Sequence, residues 1–214
     1  MTLKPRAGPD FSFERVALGR DMRPVAGVDE AGRGPWAGPV VAGAVILDPE
    51  RIPPGLNDSK KLSEVRREAL FEMLVSQAEI GIGIASVEEI DTINILRASL
   101  LAMTRAVEAL PRVPGWALID GNQMPVLKCQ GETLVKGDGR SFSIAAASII
   151  AKVTRDRLMR DLASKFPDFG WESNKGYGTA VHAAALKVHG VTQHHRRSFK
   201  PIHKMLCEDS PLTY

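Results

Sequence analysis

Four carboxylates in this chain stand where a folded core would not readily accept them. Asp29 and Glu30 end the apolar run that starts at Val25, Asp120 ends Trp116-Ala-Leu-Ile, and Asp156 sits within a long alanine-rich helical stretch. One acid at the end of a strand is ordinarily a turn former or a cap. The four together read differently, because Asp29 and Asp120 each close a run that should be buried, and each is released by a glycine shortly afterwards. Strand ends at one edge of an α/β sheet are where ligand sites form. If the two strands are parallel neighbours, the two Asp side chains emerge side by side, within reach of a shared cation. Oxygen-only ligands favour hard divalent ions such as Mg²⁺ or Mn²⁺, and no Cys or His lies near these positions to argue for zinc. Two such ions roughly 3.5–4 Å apart can activate water on one side of a phosphodiester and stabilise the leaving oxygen on the other.

Adjacent residues of a regular strand face opposite sides, so Asp29 and Glu30 share a site only if the strand ends or bulges between them; Ala31-Gly32 supplies the expected break. Asp156 follows Lys152 by four, which is either a surface ion pair or part of a polar stripe. The stripe would be Ser148, Lys152 and Asp156 at i, i+4 and i+8, flanked by Arg155 and Arg157. Gly32-Arg33-Gly34 is either a tight turn with a solvated Arg or a place where backbone groups approach a ligand while Arg33 holds a phosphate. Tyr177, between Gly176 and Gly178, offers a planar ring able to stack on a sugar or base; the plainer reading is a tyrosine at the core's edge. Lys60 and Lys61 are further phosphate-contact candidates.

These residues need elements to position them. Val25 to Asp29 and Pro39 to Leu47 read as two strands of a hairpin around a glycine-rich turn. Ser63 to Gln77 is amphipathic at helical spacing, Glu79 to Val87 alternates as a third strand, and Glu88 to Leu110 is again helical, stopped by Pro111. Trp116 to Asp120 is a buried strand and Thr133 to Lys136 a short fifth one. Ser141 to about Phe166 is strongly helical, and Thr179 to His189 is a last clear helix ended by Gly190. The order β-β-α-β-α-β-β-α-α predicts an α/β fold, a mixed five-stranded sheet with helices on its faces. Residues 1–24, with three prolines and no sustained period, read as a loosely ordered lead-in with a short helix around Phe13 to Leu18. A core over 25–172 and a C-terminal segment over 173–214 follow.

The 214 residues suit one domain, and 44% hydrophobic with 25% charged residues exclude a disordered or fibrous chain. The net charge of +3 hides an asymmetry: residues 25–172 carry 17 basic and 20 acidic side chains, while 173–207 carry six basic and none acidic. A basic run is often just a solvated face, but here it could form a wall that tracks phosphates beside an acidic site. Two cysteines cannot staple a chain of this length, all five histidines lie between 182 and 203 with no assigned role, and no apolar run is long enough to span a bilayer. The chain is expected to be soluble and cytoplasmic.

Beyond these general patterns, Gly27-Val-Asp-Glu-Ala-Gly-Arg-Gly-Pro35 followed by Ala37-Gly-Pro-Val-Val41 resembles the signature of ribonuclease HII. Asp58-Ser-Lys-Lys-Leu-Ser63, Ile119-Asp-Gly-Asn122, Lys136-Gly-Asp138, Ser143 to Asp156, Asn174-Lys-Gly-Tyr-Gly-Thr179 and His195-Arg-Arg-Ser-Phe199 resemble that family's other blocks, in order. The resemblance implies a ribonuclease H-like fold with a helical C-terminal extension, acting on RNA–DNA hybrids or on duplex DNA with an embedded ribonucleotide. It places the metal-binding acids on Asp29, Glu30, Asp120 and Asp156, with Mg²⁺ or Mn²⁺ as cofactor; taken with the residue reading above, substrate contacts are expected on Gly32, Arg33, Gly34, Lys60, Ser148 and Tyr177. The implied cut lies 5′ to the ribonucleotide, leaving a 3′-hydroxyl and a 5′-phosphate, and monomeric action is the family expectation. The 28 residues before Asp29 leave no room for the extra N-terminal domain of the sister type, ribonuclease HIII. Trp36 is bulkier than the residue usual there, and Cys207 to Tyr214 shows no convincing sliding-clamp tail, which leaves clamp recruitment open. A non-catalytic nucleic-acid-binding module on the same fold is the alternative; it would gain nothing from four acids set against phosphates.

Overall fold

The computed structural model describes residues 8–208. Five strands, β1 (Val25–Ala31), β2 (Val40–Ile46), β3 (Glu79–Ala85), β4 (Trp116–Asp120) and β5 (Gln130–Leu134), form one sheet in the order β3-β2-β1-β4-β5. β1 pairs antiparallel with β2 as the hairpin, β2 antiparallel with β3, and β1, β4 and β5 run parallel. Alternation along β1 and β2 decides the layers. Ala26, Val28, Ala42 and Ala44 turn to one face, where they pack with Ala98, Ala102 and Ala106 of α3 (Val87–Glu108). On the other face lies α4 (Phe142–Lys165), with α1 (Ser12–Gly19) and α2 (Glu64–Gln77) beside it. A further core joins the second half of α4, through Met159 and Ala163, to α5 (Trp171–Asn174), α6 (Ala180–His189) and α7 (Lys200–Glu208).

α4 lies on the sheet at backbone contact. A Cβ built on Gly27 would stand 2.1 Å from the carbonyl carbon of Ser143, so only glycine lets the site-bearing helix rest directly on β1. Gly27→Ala is therefore expected to destabilise the chain by about 3 kcal/mol, at the upper end of overpacking costs. Denaturant unfolding measures this, and an unchanged midpoint would mean that α4 shifts away at little cost.

Several features differ from the sequence expectations, among them α7, which follows the stretch that reads as the last clear helix. Residues 8–24 are not loose: Phe11, Glu14 and Ala17 are buried, and the Glu14 carboxylate accepts the Ser141 hydroxyl at 2.6 Å and the Ser143 N–H at 2.8 Å. The carboxylate therefore sits on the N-terminus of α4, where the helix dipole favours negative charge. Residues 1–7 lie outside the described residues. The fifth strand occupies Gln130–Leu134 rather than 133–136, because pairing with β4 runs from Trp116↔Gln130 to Asp120↔Leu134, and Lys136 has φ +56°, which no strand accommodates. α3 begins at Val87 because Ser86 and Glu89 form a reciprocal capping box. It is also interrupted: Asn94 has φ +66°, and its side chain caps the helix anew by accepting the Arg97 N–H at 3.1 Å. No helix among the described residues is long and apolar enough to cross a membrane. Of the end of the chain considered for clamp binding, Cys207 to Tyr214, residues 209–214 lie outside them.

Candidate active site

Parallel pairing of β1 with β4 reaches Val28↔Ile119, so Asp29 and Asp120 follow side by side, Asp29 paired with Gly43 of β2 and Asp120 with Leu134 of β5. Asp29 shares a face with Gly27, which abuts α4, and Asp120 shares one with Leu118, which packs with Ile144 of α4. α4 carries Asp156, 5% exposed, on that face of the sheet; it is bonded to Lys152, which lines the cavity, and does not itself line it. The expected break between Asp29 and Glu30 is absent. β1 continues through Ala31, paired with β2, and turns only at Gly32, with φ +98°. Both acids nevertheless border one cavity of about 330 Å³, because β1 overhangs the end of its pairing with β4 and its flank is open there.

The site is crowded with negative charge. Burial pushes the Asp29 carboxyl well above the usual carboxylate range, and the charges of Glu30, Asp120 and Asp138 push it further. Glu30 is raised mainly by burial, opposed by Arg33, whose Nη1 lies 3.2 Å from its Oε1. Asp138 is raised by burial and by Asp58 and Asp120. Burial alone would lower the Lys60 ammonium, but Asp29 and Asp138 more than offset it and hold it more firmly protonated. The acids are also fixed individually: Asp29 Oδ1 accepts the Glu30 N–H at 2.7 Å, Asp120 Oδ1 the Gly137 N–H at 2.6 Å, and Asp156 Oδ1 the Lys152 ammonium at 2.7 Å. That last pair is not a surface bridge, since the side chains are only 23% and 7% exposed. As they stand, no three His, Cys, Asp or Glu side chains among the described residues are already gathered into a coordinating group. The donors fit a hard divalent cation by their chemistry: oxygen only, mutually repelling, and relieved by added positive charge.

Gly32, Arg33, Gly34, Lys60 and Tyr177 line the same cavity as Asp29, Glu30 and Asp120. Gly32 is required twice over, by its positive φ and because a Cβ there would lie 2.0 Å from Nε of Arg155. The Tyr177 ring is 48% exposed, and a Cβ on Gly34 would stand 3.4 Å from it. Ser148 is a correction: it is 2% exposed, donates to the Ala145 carbonyl and accepts the Ser59 N–H at 3.3 Å, so it supports the turn that carries Lys60 rather than facing a ligand. The basic C-terminal wall also loses a member. Arg196 is fully buried and donates to the carbonyls of Gly32, Arg33, Gly38 and Pro39, which leaves it no freedom to meet phosphates. His182 and His195 are buried too, joined Nε2 to Nε2 at 3.0 Å, with His182 Nδ1 bonded to the Tyr177 carbonyl.

Reading single residues missed Asp138, and gave Arg155 only as a flank of the polar stripe and Arg196 only as one member of a basic run. Nothing in the spacing of either arginine marks a residue that bonds main chain more than a hundred positions away.

A family model described as ribonuclease HII matches residues 26–202. The ribonuclease HII of Jannaschia sp. (strain CCS1) is 61% identical over 201 residues, 94% of this chain and 99% of that one. Among solved structures, the ribonuclease H2 of Pyrococcus horikoshii OT3 superposes with a TM-score of 0.68 at 29% identity, covering 86% of this chain and 97% of the other. Bst-RNase HIII, solved in complex with Mn²⁺, superposes with a TM-score of 0.70 at 19% identity over 86% of this chain and 69% of its own, a likeness of fold. Identity on this scale, carried from the first strand to the C-terminal helices, settles the lineage: the chain belongs to the ribonuclease HII family.

Proposed function

We propose that this ribonuclease H nuclease is a divalent-metal-dependent endoribonuclease that cuts 5′ to a ribonucleotide, in RNA–DNA hybrids or in duplex DNA with embedded ribonucleotides. The products are a 3′-hydroxyl and a 5′-phosphate. The observation that carries the reading is the adjacency of Asp29 and Asp120 on parallel neighbouring strands, in one cavity with Glu30 and Gly32-Arg33-Gly34. Asp29, Glu30, Asp120 and Asp156 would hold Mg²⁺ or Mn²⁺, in a two-metal arrangement. When bound, the metal supplies activation of water and stabilisation of the leaving oxygen. The chain's own residues do the rest. Arg33 and Lys60 hold backbone phosphates at the rim, the glycines let main-chain groups reach the ribose 2′-hydroxyl, and the Tyr177 ring stacks on the next nucleotide. The cellular work is removal of misincorporated ribonucleotides and RNA primers, by a monomer in the cytoplasm. A pure binding module fits less well, because a cavity this anionic repels phosphate unless cations fill it.

The test is cleavage of a DNA duplex carrying one ribonucleotide, with an all-DNA duplex of the same sequence as control. Wild-type protein should cut only the first. Stacking of a base on an aromatic ring is worth about 1–3 kcal/mol, so Tyr177→Ala should slow that cut by roughly 5- to 150-fold. Cleavage of neither duplex by wild type, or equal cleavage of both, would overturn the reading.

A further inference from the structure

We infer that Arg155 and Arg196 are positioning residues that set the distance between Gly32-Arg33-Gly34 and Tyr177, and through it the rate on a single embedded ribonucleotide relative to that on a continuous hybrid. The inference rests on the reading just given for those two elements. Arg196 is fully buried; its Nη2 donates to the Gly32 carbonyl at 2.6 Å, its Nη1 to the Arg33 carbonyl at 3.0 Å and its Nε to the Gly38 carbonyl at 2.9 Å. A trans peptide is planar, with its C=O and N–H pointing opposite ways. Drawing the Gly32 and Arg33 carbonyls inward therefore turns the N–H groups of Arg33 and Gly34 away from Arg196, on the stretch that lines the cavity. Two adjacent donors are presented there because a guanidinium holds their partners from behind.

Arg155, 1% exposed, ties this loop to the other element. Its Nε donates to the Pro39 carbonyl at 3.0 Å, its Nη2 to the Ala37 carbonyl at 3.1 Å, and its Nη1 to the Lys175 carbonyl at 3.0 Å, two residues before Tyr177. Main-chain bonding across the same gap, from the Trp36 N–H to the Gly176 carbonyl at 2.8 Å, makes the two segments one unit. Arg155 precedes Asp156 on α4, so this clamp also registers both reading elements against the acids. Two buried cations are a costly way to fill a core, and apolar residues of similar volume commonly serve stability as well or better. What they add is a planar fork that fixes three carbonyls in one geometry, which a lysine cannot reproduce.

The experiment measures kcat and KM for Arg155→Lys and Arg196→Lys, with Met at each position for comparison. Two substrates are used, a DNA duplex with one ribonucleotide and a continuous RNA–DNA hybrid. The single-ribonucleotide duplex needs both elements at one fixed spacing, whereas the hybrid offers a 2′-hydroxyl at every step. The Lys variants should lose roughly tenfold or more in kcat on the first with KM little changed, and far less on the second. The Met variants should lose more, with Lys restoring part of the loss. The ratio of the two rates from one preparation does not depend on the fraction folded, so a merely structural role would leave it unmoved. An unchanged ratio in both Lys variants overturns the inference; a wild type that cuts neither substrate removes the functional reading, and the inference with it.

Discussion

Asp29→Asn is expected to abolish cleavage, with a loss of about 10³-fold or more, equivalent to roughly 4 kcal/mol of transition-state stabilisation. In metal-free buffer the same variant should melt at a higher temperature than wild type. The two effects share one cause. Burial and the neighbouring charges of Glu30, Asp120 and Asp138 raise the proton affinity of this carboxyl in the folded state. Folding is then penalised at every pH above the ordinary carboxylate value, neutral pH included. Asn carries no charge and its Oδ1 can still accept the Glu30 N–H, so the penalty goes while the local hydrogen bond stays. Each kcal/mol relieved should raise the midpoint by about 2–4 °C in a chain of this size. Cleavage assays and thermal melts on one preparation check both halves. Retained cleavage would remove Asp29 from the catalytic set, and a lowered midpoint would contradict the charge-crowding account.

Removal of divalent metal is expected to have an equally large effect and to be visible without any substrate. Cleavage of the ribonucleotide-containing duplex should cease in excess chelator and return with Mg²⁺ or Mn²⁺. Because the acids repel one another in the folded protein and are dispersed in the unfolded chain, the ion should bind the folded state preferentially. At a hundredfold excess over Kd such binding adds about 2.7 kcal/mol of stability. Wild-type protein should therefore melt higher with Mg²⁺ than without, and Asp29→Asn and Asp120→Asn should show little of that gain. Cleavage that persists in chelator would defeat the metal assignment directly. Equal stabilisation of wild type and both variants would place the ion elsewhere on the protein.

The parts of this molecule that were legible in the sequence are those whose cause is local. The β1–β2 hairpin is marked by β-branched runs around a glycine-rich turn, and α4 by its alanine run and its Ser141 cap, so both lie close to where periodicity put them. The adjacency of Asp29 and Asp120 follows from two apolar strands each ended by an acid, once the strands are parallel neighbours. What was not legible depends on contacts between distant positions. Ser148 occupies its predicted helical stripe but is covered by Ser59, 89 residues away. Arg196 belongs to a basic run in the sequence yet reaches main chain 164 residues upstream. The start of β5 was set by register with β4 and not by its own composition, and the bend at Asn94 interrupts a pattern whose hydrophobic period continues across it.

The Glu14 carboxylate on the N-terminus of α4 ties together two stretches that a ribosome delivers far apart in time. Ser143 follows Glu14 by 129 positions, and at about 5–20 residues per second it emerges roughly 6–26 s later. For that interval the acid has no helix to cap and stays hydrated. β1 likewise waits for β4, its parallel neighbour and the carrier of Asp120. Asp29 and Asp120 are therefore brought side by side only after more than half of the chain has been made.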